Sequence, residues 1–154
     1  MRHLAIDLGA RRVGLAVSDA GGEYASPLCV LTVTSPEDAA RQVLKVVAEE
    51  RPERLVVGCP IDMSGRIDKP ARTACRWAAG LSEAAGVPAV MVDERLSSFA
   101  AEQQLVGRKR AGEKMTRGQK KKQLDALAAA EFLAEHLRGD LPGLDPAAVL
   151  AGDA

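Results

Sequence analysis

The stretch HLAIDLGARRVGLAVSD, residues 3–19, sets the reading of the whole chain. His3 to Asp7 is an apolar run that ends on a carboxylate. Arg12 to Ser18 then alternates Val13, Leu15 and Val17 with Gly14, Ala16 and Ser18. A period of two is the signature of a strand, so with Gly9 between them the two segments read as a β-hairpin. After a turn at Gly21 and Gly22, Leu28 to Val33 is apolar and β-branched enough for a third, half-buried strand. Three antiparallel strands therefore open the fold.

Downstream the period changes. Ser35, Pro36, Glu37 and Asp38 make a helix start, with a hydroxyl to cap it, proline at the first position and carboxylates favoured by the helix dipole. Val43, Leu44, Val47 and Ala48 supply the apolar face of this helix, and Pro52 ends it. Leu55 to Cys59 is continuously apolar and bounded by Pro60, as a central parallel strand requires. Pro70 to Ala85 has helical spacing with Trp77 on its core side, Gly86 and Pro88 stop it, and Ala89 to Val92 is another apolar strand. Ser97 or Ser98 caps a helix running through Leu105, a basic loop follows, and Gln119 to Leu137 forms an Ala-rich last helix. The order βββαβαβαα predicts an α/β fold: a mixed five-stranded sheet, three antiparallel strands and then two parallel, flanked by helices. Residues 1–138 form one domain, and 139–154, rich in Gly, Pro and Asp, read as a flexible C-terminal tail.

Composition narrows the class. A chain of 154 residues fits one domain, and with only Tyr24, Trp77, Phe99 and Phe132 aromatic, its core must be built from Ala, Val and Leu. No apolar run approaches the roughly 20 residues of a membrane span, and no secretory leader precedes the first strand, which predicts a cytoplasmic protein without membrane association. Cys29, Cys59 and Cys75 are widely spaced in apolar contexts and read as reduced, buried thiols. Net charge is +0, yet residues 108–122 hold eight Lys or Arg (Arg108, Lys109, Arg110, Lys114, Arg117, Lys120, Lys121, Lys122) against Glu113 alone. That segment carries +7 and leaves −7 elsewhere. It reads as a local phosphate-attracting patch whose pull salt would weaken.

Three acids stand where a carboxylate needs a reason. Asp7 follows Leu4 to Ile6 inside the sheet region, where a lone charge is costly to bury. Glu94 follows the strand Ala89 to Val92, at the carboxyl edge where sites of open α/β sheets gather. Asp125 lies between Leu124 and Leu127, beside the apolar face of the last helix. Carboxylate oxygens suit Mg²⁺ or Mn²⁺, and a cluster holding two such ions could activate water and stabilise the leaving oxygen of a phosphodiester. Asp19 lies at the far end of the hairpin from Asp7 and reads as structural.

Four ordered motifs, DLGARRVGLAVSD at 7–19, VVGCPIDMSG at 56–65, DERLSSFAAEQQL at 93–105 and LDALAAAEFL at 124–133, closely resemble the YqgF family, also called RuvX, over residues 1 to about 138. These are RNase H-fold proteins related to the resolvase RuvC and described as nucleases maturing the 5′ end of the small-subunit ribosomal RNA precursor. The resemblance places the family's catalytic, metal-holding acids on Asp7, Glu94 and Asp125, with two Mg²⁺ or Mn²⁺ ions. Arg11 and Arg12 match its basic pair and imply phosphate contact. Gly9, Gly58, Pro60 and Gly65 imply turns that shape the site, and Asp93 and Arg95 imply ion pairs that fix Glu94. The implied partner is nucleic acid: RNA within a pre-ribosomal particle, or branched or single-stranded DNA if the chain resolves Holliday junctions. It would act as a monomer or homodimer. A catalytically silent nucleic-acid-binding module is the reading outside enzymes.

Overall fold

The structure, a computed structural model, describes residues 1–60, 68–93 and 117–151, the side chains of the last segment from residue 124 onward. Five strands, β1 (His3–Leu8), β2 (Arg12–Ser18), β3 (Ala25–Thr32), β4 (Arg54–Cys59) and β5 (Ala89–Asp93), form one sheet in the order β3-β2-β1-β4-β5. β1 and β3 flank β2 antiparallel, while β4 lies parallel to β1 and β5 parallel to β4. This is the mixed sheet the sequence predicts.

The alternation in β2 explains how the layers form. Val13 and Leu15 join Leu4, Ile6, Leu55, Val57 and Met91 in a core covered by α1 (Pro36–Glu50) and α2 (Lys69–Ala85). The opposite face carries Ala5, Ala16, Val56 and Val92, and α3 (Arg117–Leu137) lies on it through Ala129, Phe132 and Leu133. Bulky side chains thus face the two-helix layer. Small ones face the single long helix, which can approach β1 and β2 closely.

Ser35 caps α1 as its sequence implies, accepting from the Asp38 amide at 3.0 Å, with Pro36 in the first turn. Trp77 belongs to the packing of α2, and its indole N–H donates to the Pro36 carbonyl at 2.9 Å. The three cysteines are free thiols, Cys59 and Cys75 buried and Cys29 partly so.

Two expectations need correction. The third strand begins at Ala25, before the expected Leu28, because Pro27 is accommodated on an edge strand at a register shift opposite Leu15 and Ala16. The chain after α3 is not a loose tail. Gly139, at φ +87°, turns it back; Leu141 is buried, and Leu144 exchanges two 2.7 Å backbone hydrogen bonds with Met91 on the outer edge of β5. A short helix α4 (Pro146–Ala151) follows and packs near α2. Polar composition hid this arrangement because one buried leucine and one bridge suffice to hold the segment.

The helix expected to run from Ser97 or Ser98 through Leu105 lies outside the described residues.

Candidate active site

Asp7 sits near the end of β1, half-buried, and its parity along the strand is that of Ala5, so it belongs to the face covered by α3. Its partner across the β1–β2 ladder is Gly14. A Cβ at Gly14 would lie 2.2 Å from the carbonyl oxygen of Asp125 and 2.4 Å from its carbonyl carbon. The helix therefore rests its backbone directly on the glycine, which brings Asp125 over the strand residue opposite Asp7. Cross-strand partners keep their Cβ positions about 5 Å apart, so β1 and α3 converge on one small patch of the sheet.

Arg12 completes this patch. It shares the parity of Gly14 along β2, and its Nε donates to Asp125 Oδ2 at 3.0 Å. The two side chains are 35% and 29% exposed, so the pair stands at the rim of the site in contact with solvent. Arg11, matched with Arg12 in sequence, is exposed at the turn, and its carbonyl accepts from the Val33 amide at 2.9 Å. The tight turn depends on Gly9: its amide donates to the Arg12 carbonyl at 2.9 Å, and a Cβ there would stand 2.6 Å from that oxygen.

At the same edge of the sheet, β4 and β5 end in register, Cys59 opposite Asp93 and Gly58 opposite Val92. Gly58 and Pro60 line a cleft of about 580 Å³ together with Leu8, Gly9, Ala10 and the first turns of α1 and α2. The carboxyl ends of β1, β4 and β5 thus gather Asp7, the Gly58–Pro60 segment and Asp93. Glu94, the next residue in the chain, lies outside the described residues, as do Gly65, Arg95, Arg108, Lys109, Arg110 and Lys114. Arg117, Lys120, Lys121 and Lys122 fall in the start of α3, where the backbone alone is described. Among the described residues no three acids, histidines or cysteines lie close enough to hold a metal.

Asp19 is structural. Its Oδ1 accepts from the Glu23 and Tyr24 amides, both at 2.8 Å, closing the β2–β3 turn at the end of the hairpin remote from Asp7. Those amides hold its carboxyl below the usual carboxylate range.

The sequence reading missed Gly14. The signal was present in the run of small residues at Gly14, Ala16 and Ser18, which announces a close-packed neighbour but not which one. Asp7 and Asp125 are hard-oxygen residues of the kind that divalent cations take, brought to one face of the sheet, and Arg12 balances the charge of Asp125.

The family described as RuvX, Holliday junction resolvase, matches residues 1–139. A protein of Chloroflexus aurantiacus, provisionally named a pre-16S rRNA nuclease, is 40% identical over 136 residues, covering 87% of this chain and 84% of the relative. One of Gluconobacter oxydans, similarly named, is 36% identical over 141 residues, covering 92% and 86%. Among solved structures, Thermus thermophilus RuvC in complex with a Holliday junction substrate superposes with a TM-score of 0.54 at 24% identity, covering 94% of this chain and 99% of that one. Fowlpox virus resolvase with Holliday junction DNA gives 0.56 at 10%, covering 90% and 98%. These superpositions give the fold, the RNase H-like sheet of resolvases.

Proposed function

The chain belongs to the RuvX family, and from that premise we propose that it is a divalent-metal nuclease in which Asp7, Glu94 and Asp125 form the catalytic cluster. The observation that supports this most directly is the seating of Asp125 on Gly14, the cross-strand partner of Asp7. Two carboxylates far apart in sequence are thereby brought to one face of the sheet, and phosphodiester chemistry at an RNase H-like sheet supplies a reason for keeping them together there. Mg²⁺ or Mn²⁺, when bound, would activate water and stabilise the leaving oxygen.

The chain's own residues do the rest. The three acids present oxygen donors from β1, the segment after β5 and α3. Asp93 and Arg95 flank Glu94 and fix its rotamer through ion pairs. Arg11, exposed at the Gly9 turn, meets a phosphate beside the cluster, and the basic residues between Arg108 and Lys122 draw the backbone in without reading its sequence. The cleft at Gly58 and Pro60 receives the strand on its way past the carboxylates. The substrate we propose is the small-subunit ribosomal RNA precursor, which the names of the relatives carry, cut on its 5′ side and in the cytoplasm. Junction DNA is the second reading, favoured by the family's description.

Labelled single-stranded RNA, single-stranded DNA and a four-way DNA junction, each incubated with Mg²⁺, Mn²⁺ or EDTA, test the proposal. We expect metal-dependent cutting, lost in Asp7→Asn while the fold is retained. Cutting that survives Asp7→Asn would remove the cluster from the reaction, and binding without any cutting would make the chain a silent module. The preferred substrate decides between RNA processing and junction resolution.

A further inference from the structure

Arg12 reads from sequence as a phosphate contact, yet its guanidinium is engaged by the carboxylate of Asp125 at 3.0 Å. The Nε–H is committed to that carboxylate, and a phosphate taken by the remaining N–H groups would be held beside its negative charge. The energetics favour exchange: an ion pair whose partners are each about a third exposed is worth roughly 0–1 kcal/mol. A divalent ion placed among several carboxylates interacts far more strongly with Asp125 than that. The guanidinium is also the better suited of the two cations to leave, since its planar fork matches a phosphate as well as a carboxylate. Arg12 is held in place by the tight turn at Gly9 and by the β2 ladder. A released side chain therefore stays at the rim of the patch that Asp7 and Asp125 share.

We propose that Arg12 is a resident counter-ion which occupies Asp125 in the metal-free protein and passes to a phosphate of the nucleic acid when divalent ions take over that carboxylate. Metal loading and nucleic-acid binding are thereby coupled through one side chain. The inference rests on the metal-cluster reading above and adds a positioning role that the reading does not require. It carries a definite sign. Removing a cation that competes for Asp125 must tighten metal uptake, whereas removing a group that merely orients the carboxylate would loosen it.

The test uses the full chain as wild type, Arg12→Ala, Arg12→Lys and Asp125→Asn. Mn²⁺ affinity is measured without nucleic acid by the electron paramagnetic resonance of the free ion. Affinity for labelled single-stranded RNA and for a four-way DNA junction is measured by anisotropy in EDTA and in Ca²⁺, a hard cation that takes oxygen ligands. We expect Arg12→Ala to bind Mn²⁺ more tightly than wild type and to change nucleic-acid affinity in EDTA by less than about twofold. The gain that Ca²⁺ brings to nucleic-acid affinity should shrink about tenfold, the loss of one hydrogen-bonded phosphate contact from a charged donor. Arg12→Lys should keep part of that gain. Melting in EDTA monitors folding, and an exposed pair of this kind costs little there.

Weaker Mn²⁺ binding in Arg12→Ala overturns the proposal in favour of an orienting role. An equal loss of nucleic-acid affinity in EDTA and in Ca²⁺ overturns it in favour of a permanent phosphate anchor, and a wild type showing no Ca²⁺-dependent gain removes the coupling. If Asp125→Asn binds Mn²⁺ as wild type does, the metal-cluster reading fails and this inference falls with it. If Asp125→Asn loses Mn²⁺ while Arg12→Ala is unchanged, the inference alone fails.

Discussion

One methyl group added at Gly14 would meet the Asp125 carbonyl at 2.2 Å, and neither side can yield cheaply because both contacts are backbone. β2 is the second strand of a five-stranded ladder, and α3 is held by Phe132 and Leu133, so the helix must lift or the strand must bend. Gly14→Ala should therefore cost about 1–3 kcal/mol in urea unfolding, the range of an overpacked core. It should also weaken Mn²⁺ binding, because α3 carries Asp125 away from Asp7. Retained stability together with retained Mn²⁺ affinity would show that the helix tolerates the shift. At this scale the sequence was only partly legible. Asp7 and Asp125 could be picked out as acids beside apolar residues, and Asp19 could be set aside by its place in the hairpin. The partner of Arg12 could not be read, since it lies 113 residues away and only the packing of α3 brings it near.

The elements whose signals are local were readable. β2 follows from strict alternation, and α1 from a Ser-Pro-acid start that forms the expected cap. Elements held by a few distant contacts were not: β3 starts ahead of a proline, and the segment after α3 depends on Leu141 and on the Leu144–Met91 bridge. That segment offers a sharp test. A chain ending at Gly139 loses the burial of Leu141 and two backbone hydrogen bonds, together worth about 3 kcal/mol. Urea unfolding should report that loss. The shortened chain should also self-associate in size-exclusion runs, because the outer edge of β5 becomes open to strand pairing. Unchanged stability on truncation would mean that the bridge adds nothing to the fold.

For the molecule as a whole, the mixed five-stranded sheet flanked by helices followed from hydrophobic period together with the cap and turn residues, because connection rules leave few arrangements of such strands; the strand order and the side each helix covers came from the packing. Global stability should also carry a readable pH signature. His3 is buried under the β2–β3 turn, its Nδ1–H donating to the Met1 carbonyl at 3.0 Å, and burial lowers its pKa, with His136, Arg54 and the amino terminus adding to the effect. A base with a lowered folded pKa is stabilising while neutral, so its contribution declines as pH falls below the ordinary value of 6.5 toward the folded one. Denaturant midpoints should fall as pH drops from 6.5 toward the folded pKa, and His3→Gln should flatten that slope. An identical slope in the variant would place the effect elsewhere. The seating of α3 on Gly14 has one more consequence, in the order in which the chain is made. β1 and β2 precede α3 in the chain, and until α3 is made they present a face of Ala5, Gly14 and Ala16 that α1 and α2, packed on the other side of the sheet, do not cover. The patch around Asp7 is therefore closed only once α3 has emerged, so that a nascent chain still lacking that helix holds Asp7 without the carboxylate that α3 brings beside it.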